Sequence, residues 1–299
     1  MRARLWLKIG MFLLALGITG RTLDYLSSEK LIRDALTESI NYDVFRELRV
    51  SDRVIEEVRT RIENHQEESV SSDDDKYSEA IGYLTFSMLA RKFDLVKNKP
   101  VSEKAFLLGR SRLEQRQGYG RLYEYYDAIL SDLKCFPVPS VDGSNLSNKD
   151  ISFVDSWNDL RKYGGRRRHE GTDIMAKNNL RGYYPIISIT DGTVEKLGWL
   201  EQGGYRVGIR APSGGYFYYA HLDSYAPFLS VGDKIIAGQL LGFMGDSGYG
   251  KEGTVGQFDV HLHLGIYVQT EAGEMSVNPY AILCMLEKNR SSFIRGKPS

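Results

Sequence analysis

Apolar positions divide the chain into two regimes. Over residues 29–66 they recur mostly every three to five positions, at Leu31, Ala35, Ile40, Val44 and Leu48 and, after Ser51, at Val54, Val58 and Ile62, which predicts one or two amphipathic helices. After a polar break, "SVSSDDD" at 69–75, further helices are predicted over 77–95, 102–115 and 119–133, the second following Pro100 with Ser102 as its N-cap. At "CFPVPSVDGSN" Pro137, Pro139 and Gly143 punctuate a boundary, and beyond it the period shortens. "DGTVEKLGWL", "YRVGIRAP", "YFYYAHL", "DKIIAG", "LLGFMG" and "FDVHLHLGIYV" are short alternating runs between glycine-rich turns, as expected of antiparallel strands over about 136–286. The expected fold class is α+β overall: a helical N-terminal half followed by a mainly antiparallel β C-terminal domain. The expected divisions are a signal-anchor or signal peptide at 1–22, a helical stalk or accessory region at 23–134, the β domain at 135–290 and a flexible tail at 291–299.

The first residues, "MRARLWLKIGMFLLALGITGRT", change the picture of where the chain works. Arg2, Arg4 and Lys8 precede an apolar run at 9–20, the layout of an export signal, with charges segregated along the sequence and not around a helix. The run is short for a spanning helix, although Leu5 to Leu7 extend it if Lys8 snorkels, and "ALG" at 15–17 is a passable cleavage site. A retained anchor is the expectation and a cleaved signal the alternative.

Composition narrows the partners. With 299 residues and 42% hydrophobic content the chain can build proper cores. Lys plus Arg and Asp plus Glu both number 39, so no large basic footprint for nucleic acid exists. Two cysteines, Cys135 and Cys284, are too few for a disulfide scaffold and too far apart in sequence for a thiolate metal site; one bridge and two free thiols are both open.

The chemistry concentrates in the histidines. There are five, and only His65, in a charged helix, lies outside the β half. In "FDVHLHLGIYV" alternation puts His261 and His263 on one strand face, with Leu262, Leu264 and Ile266 turned to the core. "GRRRHEGTDIMA" adds His169 and, four residues on, Asp173, with Gly171 between them allowing a tight turn; "YYAHLDSY" adds His221 at a strand end. A catalytic zinc ion typically takes three such ligands and keeps one position for water or substrate, so the inventory suffices with two histidines to spare.

"HEGTD", the lone histidine of "YAHL" and "HLH", in that order, resemble the lysostaphin-type zinc metallopeptidases, the Gly-Gly and β-lytic endopeptidases that cleave peptidoglycan. The resemblance covers about half the chain, roughly 136–286, includes "VGDKIIAGQLLGFMGDSG" and "VNPY", and shows no departure at the motif positions. It implies that His169, Asp173 and His263 bind one zinc ion and that His221 and His261 are the catalytic pair, their individual roles unassigned. It implies a zinc-dependent endopeptidase acting on bacterial peptidoglycan; the N-terminal segment adds the expectation of a single-pass membrane anchor with the β domain outside, or else secretion. The alternative is a non-catalytic scaffold or activator of a cell-wall amidase, and the helical half is a surface open to a protein partner.

Other features carry blander expectations. Arg166 to Arg168 are a charge run expected to be solvated, though contact with acidic groups of a wall polymer is the sharper reading. Tyr216, Tyr218 and Tyr219 are expected to pack on a half-buried strand or to line a groove, and Trp199 is similarly two-sided. "VGDKIIAGQLLG" also resembles the hairpin of lipoyl and biotinyl carriers, but Lys234 stands beside an acidic turn residue and not in a carrier tip motif.

Overall fold

The structure, a computed structural model, describes residues 2–68, 79–141, 150–161 and 165–293. The polar break at 69–75 and residues 294–299 of the expected tail lie outside them. Helices run α1 (Arg2–Thr37), α2 (Tyr42–Arg46), α3 (Asp52–Glu68), α4 (Glu79–Ala90), α5 (Glu103–Glu114), α6 (Gln117–Leu130) and α7 (Tyr280–Glu287). Among the described residues no helix is long and apolar enough to cross a membrane.

The described residues up to Ile40 and from Glu79 to Tyr123 form one compact unit. Its centre is α4, buried from Ala80 to Ala90, as expected of a helix apolar on every side. Against it pack Ile32, Ala35, Phe106 and Leu113, all with no exposed surface. Ser102 caps α5 as predicted, its hydroxyl accepting the Ala105 N–H at 3.3 Å. At the end of α1, the Arg116 guanidinium donates to the carbonyls of Ala35 and Glu38, satisfying helix-terminal acceptors.

Residues from Asn41 to Glu68 and from Glu124 onward form the second unit. In this unit α3 buries Val54, Ile55, Val58 and Ile62, packs against α7, and is tied to it by Lys288, which pairs with Asp52 and Glu56. Phe45 of α2 sits between the rings of Tyr125 and Tyr126.

Most of the rest of this unit is one ten-stranded sheet, labelled in chain order β1 (Ile151–Ser152), β2 (Thr172–Ala176), β3 (Pro185–Ile187), β4 (Gly192–Leu200), β5 (Gly204–Arg210), β6 (Tyr216–Tyr225), β7 (Lys234–Ile235), β8 (Leu240–Met244), β9 (His261–Thr270) and β10 (Gly273–Val277). The main path is β7-β4-β5-β6-β9-β2-β1, with β10 on β9 and β8 joining β6 to β3; every pairing is antiparallel. One face holds Ile174, Phe217, Tyr219, Leu262, Leu264 and Ile266, all fully buried. Each such side chain contributes roughly 1.5–3 kcal/mol, which makes the register around β9 stiff: a one-residue slip would expose the whole set. Ser292–Phe293, at the start of the expected tail, pairs in parallel with Ser140–Val141.

Candidate metal centre and its histidine pair

Because β2 and β9 are paired with Asp173 directly opposite His263, the two side chains leave the sheet on the same face as cross-strand neighbours. His263 Nδ1 stands 2.9 Å from Asp173 Oδ1. His169 precedes β2, and its Nε2 lies 3.1 Å from both Asp173 Oδ1 and His263 Nδ1. Three donor atoms thus form a nearly equilateral triangle. Gly171 makes this approach feasible: a Cβ there would meet His263 Cε1 and the Leu264 carbonyl at 2.6 Å. Its φ is not in the left-handed region, so close packing, and not the expected tight turn, is what requires glycine.

A second layer orients the triangle. His169 Nδ1 is surrounded by the Ser156 carbonyl and hydroxyl, both at 3.0 Å, and by Arg161 Nη2 at 2.9 Å, contacts that hold the ring with Nε2 directed at the other donors. Arg161 Nη2 donates to Asp173 Oδ2 at 2.6 Å, so the carboxylate turns Oδ1 toward the two imidazoles. Burial would raise the Asp173 pKa, but its hydrogen bonds to His169 and His263 hold it well below the usual carboxylate range. Burial lowers the pKa of His263 against the pull of Asp173, which favours the neutral, metal-binding form. A tetrahedral zinc ion with bonds of roughly 2.0 Å has ligand edges of about 3.3 Å, within a few tenths of an ångström of the triangle. An anionic carboxylate and two converging imidazoles fit a zinc ion with a fourth position open.

The other two histidines are held differently. His261 shares the face of His263 two residues on; its N–H donates to Gly245 and its Nδ1 lies 2.7 Å from the Asp259 carbonyl. His221 sits on β6 with φ +62°, where the β5–β6 ladder slips by one residue between Tyr205↔Leu222 and Val207↔Tyr219. This bulge turns an imidazole out of the regular alternation. His221 Nδ1 lies 2.8 Å from the Ser247 carbonyl. That loop comes so near that a Cβ on Gly204, itself at φ +63°, would overlap the Ser247 oxygen at 2.2 Å. Burial first, then His261 and His263, lower the His221 pKa well below its ordinary value. With Nδ1–H given to a carbonyl, each ring presents Nε2 as an acceptor. The two rings are 4.7 Å apart, and Phe258 packs edge-on against His221 and tilted against His261.

All five residues singled out from the sequence line one cavity of about 180 Å³. The side chain of His65 lies outside the described residues. Sequence reasoning missed Arg161, Ser156 and the carbonyls of Ser247 and Asp259; their partners are brought in by the fold, and no spacing motif marks them. Cys135 and Cys284 are free thiols, and burial raises both, Cys135 to about 11. Trp199 packs on Tyr205 and donates Nε1–H to Gly250, while Tyr219 is core and Tyr216 and Tyr218 line a groove beside the cavity.

Residues 167–279 match the family model described as peptidase family M23. An L-Ala–D-Glu endopeptidase of Bacillus subtilis is 39% identical over 168 residues, 56% of this chain and 48% of the relative; the chain spans about half the length of that curated relative. A crystal structure from Ruminococcus gnavus, described as a candidate glycyl-glycine endopeptidase, is 40% identical with a TM-score of 0.69, covering 88% of this chain and 98% of that one. The catalytic domain of lysostaphin from Staphylococcus simulans is 26% identical over 48% of this chain and 98% of that domain, with a TM-score of 0.35.

Proposed function

The chain belongs to peptidase family M23, and from that premise we propose that it is a zinc-dependent endopeptidase that hydrolyses peptide bonds in the stem or cross-bridge of bacterial peptidoglycan. The observation that carries the reading is the triangle of His169, Asp173 and His263 beside two imidazoles whose Nε2 atoms are free to accept a proton.

His169 Nε2, Asp173 Oδ1 and His263 Nδ1 would hold the zinc ion. Bound there, it supplies a Lewis acid that polarises the scissile carbonyl and acidifies a water. His221 and His261 divide the proton handling: one Nε2 takes the proton of the attacking water and returns it to the leaving amine, and the other, when protonated, donates to the developing oxyanion. Their Nδ1–H bonds to Ser247 and Asp259 keep both rings aimed as the charge changes. Arg161 keeps Asp173 correctly turned, and Phe258 packs against both rings of the pair.

The basic start and the apolar run at 9–20 support action outside the cytoplasm, with the segment retained as an anchor. Cell fractionation with N-terminal sequencing tests this: a soluble, processed chain in the medium would replace the anchor with secretion.

The deciding experiment is mass spectrometry of fragments released from purified peptidoglycan by the full chain, with His263→Ala beside it. New peptide termini released only by the parent chain are expected, and they identify the bond. No release by a folded chain with stoichiometric zinc would overturn the enzyme in favour of the scaffold or amidase activator.

A further inference from the structure

The cavity at the metal centre opens into a groove of about 570 Å³ that shares His221 and His263 with it. Four cationic side chains line this groove: Arg167, Arg168, Lys196 and Arg206. Two acids line it as well: Glu170 pairs with Arg46, and Glu274 lies 3.3 Å from Arg210, which it shares with Glu195. The four cations, by contrast, form no ion pair among the described residues, although Lys196 feels the field of the neighbouring Glu195, and they outnumber the two acids of the lining. Arg167 donates to the Tyr249 hydroxyl and lies over its ring, and Arg168 donates to the Asn158 carbonyl. Arg206 makes no side-chain hydrogen bond, and its Nη1 is shielded from solvent without an acceptor. Tyr216 and Tyr267 on the groove wall have hydroxyl pKa values pushed to about 12 by burial, so they remain neutral donors and add no negative charge. In a chain of zero formal net charge this is a local excess of positive charge, built beside the reactive centre. The run Arg166 to Arg168, expected to be merely solvated, contributes two of the four.

We infer that this groove is a carboxylate-binding subsite, with Arg206 and Lys196 as its recognition cations, that selects a peptide carrying a free carboxylate beside the scissile bond. The identity of the ligand as a wall peptide rests on the peptidase reading above; the charge argument does not. Of the two substrate kinds, a cross-bridge made of glycine has no side-chain charge to place opposite Arg206, and would leave its shielded Nη1 without an acceptor. An acidic stem peptide supplies the acceptor, as a charge-assisted hydrogen bond to a planar fork.

Calorimetric binding to the full-length His261→Ala variant tests it with three probes: L-Ala-γ-D-Glu-L-Lys, the same peptide with its D-Glu carboxylate converted to the carboxamide, and pentaglycine. The acid form is expected to bind about tenfold or more tightly than the amide, with the preference weakened by salt. Adding Arg206→Gln should erase that preference, Lys196→Gln should reduce it, and Arg206→Lys should keep part of it. Equal affinity for acid and amide, a preference for pentaglycine, or a preference untouched by both Gln variants would overturn the subsite. Cleavage by the parent chain separates the two readings. Pentaglycine cut and the acidic peptide spared refutes the subsite and leaves the peptidase; acid-selective binding with no peptide or peptidoglycan cut leaves the subsite and refutes the peptidase.

Discussion

The two halves of the site are built by opposite means. Asp173 and His263 meet because two strands pair in perfect register, and His169 is drawn onto them by a glycine that allows its loop to touch the sheet. His221 and His261 meet because the sheet is irregular: one sits on a bulge with a left-handed backbone, the other is tied to a loop carbonyl. Regular pairing suits atoms that must hold an ion at fixed mutual distances, since a cross-strand pair is the stiffest geometry a sheet offers. A bulge suits a group that must point where the pleat would not send it. The donor triangle should therefore fail in metal occupancy, and the histidine pair in turnover.

Removing a donor gives the largest effect. Asp173→Ala and His263→Ala are each expected to abolish stoichiometric zinc, read by elemental analysis of the purified chain, and activity with it; a variant retaining both would break the division at its root. Next comes His221→Ala, expected to keep its zinc while kcat falls by about 100-fold or more, the usual weight of an acid–base group. Loss of metal in that variant would merge the two halves into one unit. Arg161→Ala sharpens the comparison from the second layer. Zinc affinity, measured by competition with a chelating dye, is expected to fall about 10- to 100-fold, because Oδ2 of Asp173 would lose the donor that turns it. An unchanged affinity would show that the strand register alone aims the carboxylate.

The smallest effect is on stability. His221 and His263 both have pKa values lowered in the folded chain, chiefly by burial, so below the ordinary histidine value near 6.5 the unfolded chain binds protons that the folded one refuses. The stability they contribute is present above about pH 6.5 and is lost as pH falls toward their folded values. Thermal unfolding of the metal-free chain should accordingly show a midpoint that drops between pH 7.5 and 5, with a shallower drop in His221→Ala. An identical slope in the variant would assign the pH dependence to other groups.

Part of the candidate site was legible along the chain for one physical reason: side chains that share a strand face obey the strand's own period. His261 and His263 are two residues apart, and the alternation that buries Leu262, Leu264 and Ile266 necessarily puts both imidazoles on the other face. The Ser102 cap and α5 were readable in the same local way, since a hydroxyl bonding the N–H three residues on needs nothing from the rest of the fold. Arg161 was not readable, because its partner Asp173 is twelve residues away across a loop. Nor was the reason for Gly171, which is set by His263 on another strand. The charge balance of the groove is still less local: Glu170 is neutralised by Arg46, 124 residues earlier, and without that pair the lining would read as mixed and not as cationic.

What the sequence determined by itself is whatever depends on near neighbours: helix and strand periods, the capped start of α5, the α-then-β order and the set of side chains able to hold zinc. Only the tertiary structure decided that α3 packs against α7 in the same unit as the sheet, that a bulge aims His221, that both thiols stay unpaired, and that four cations outnumber the acids lining one groove. Those outcomes depend on which distant segments share a surface, and burial and ion pairing are properties of that shared surface and not of any segment alone.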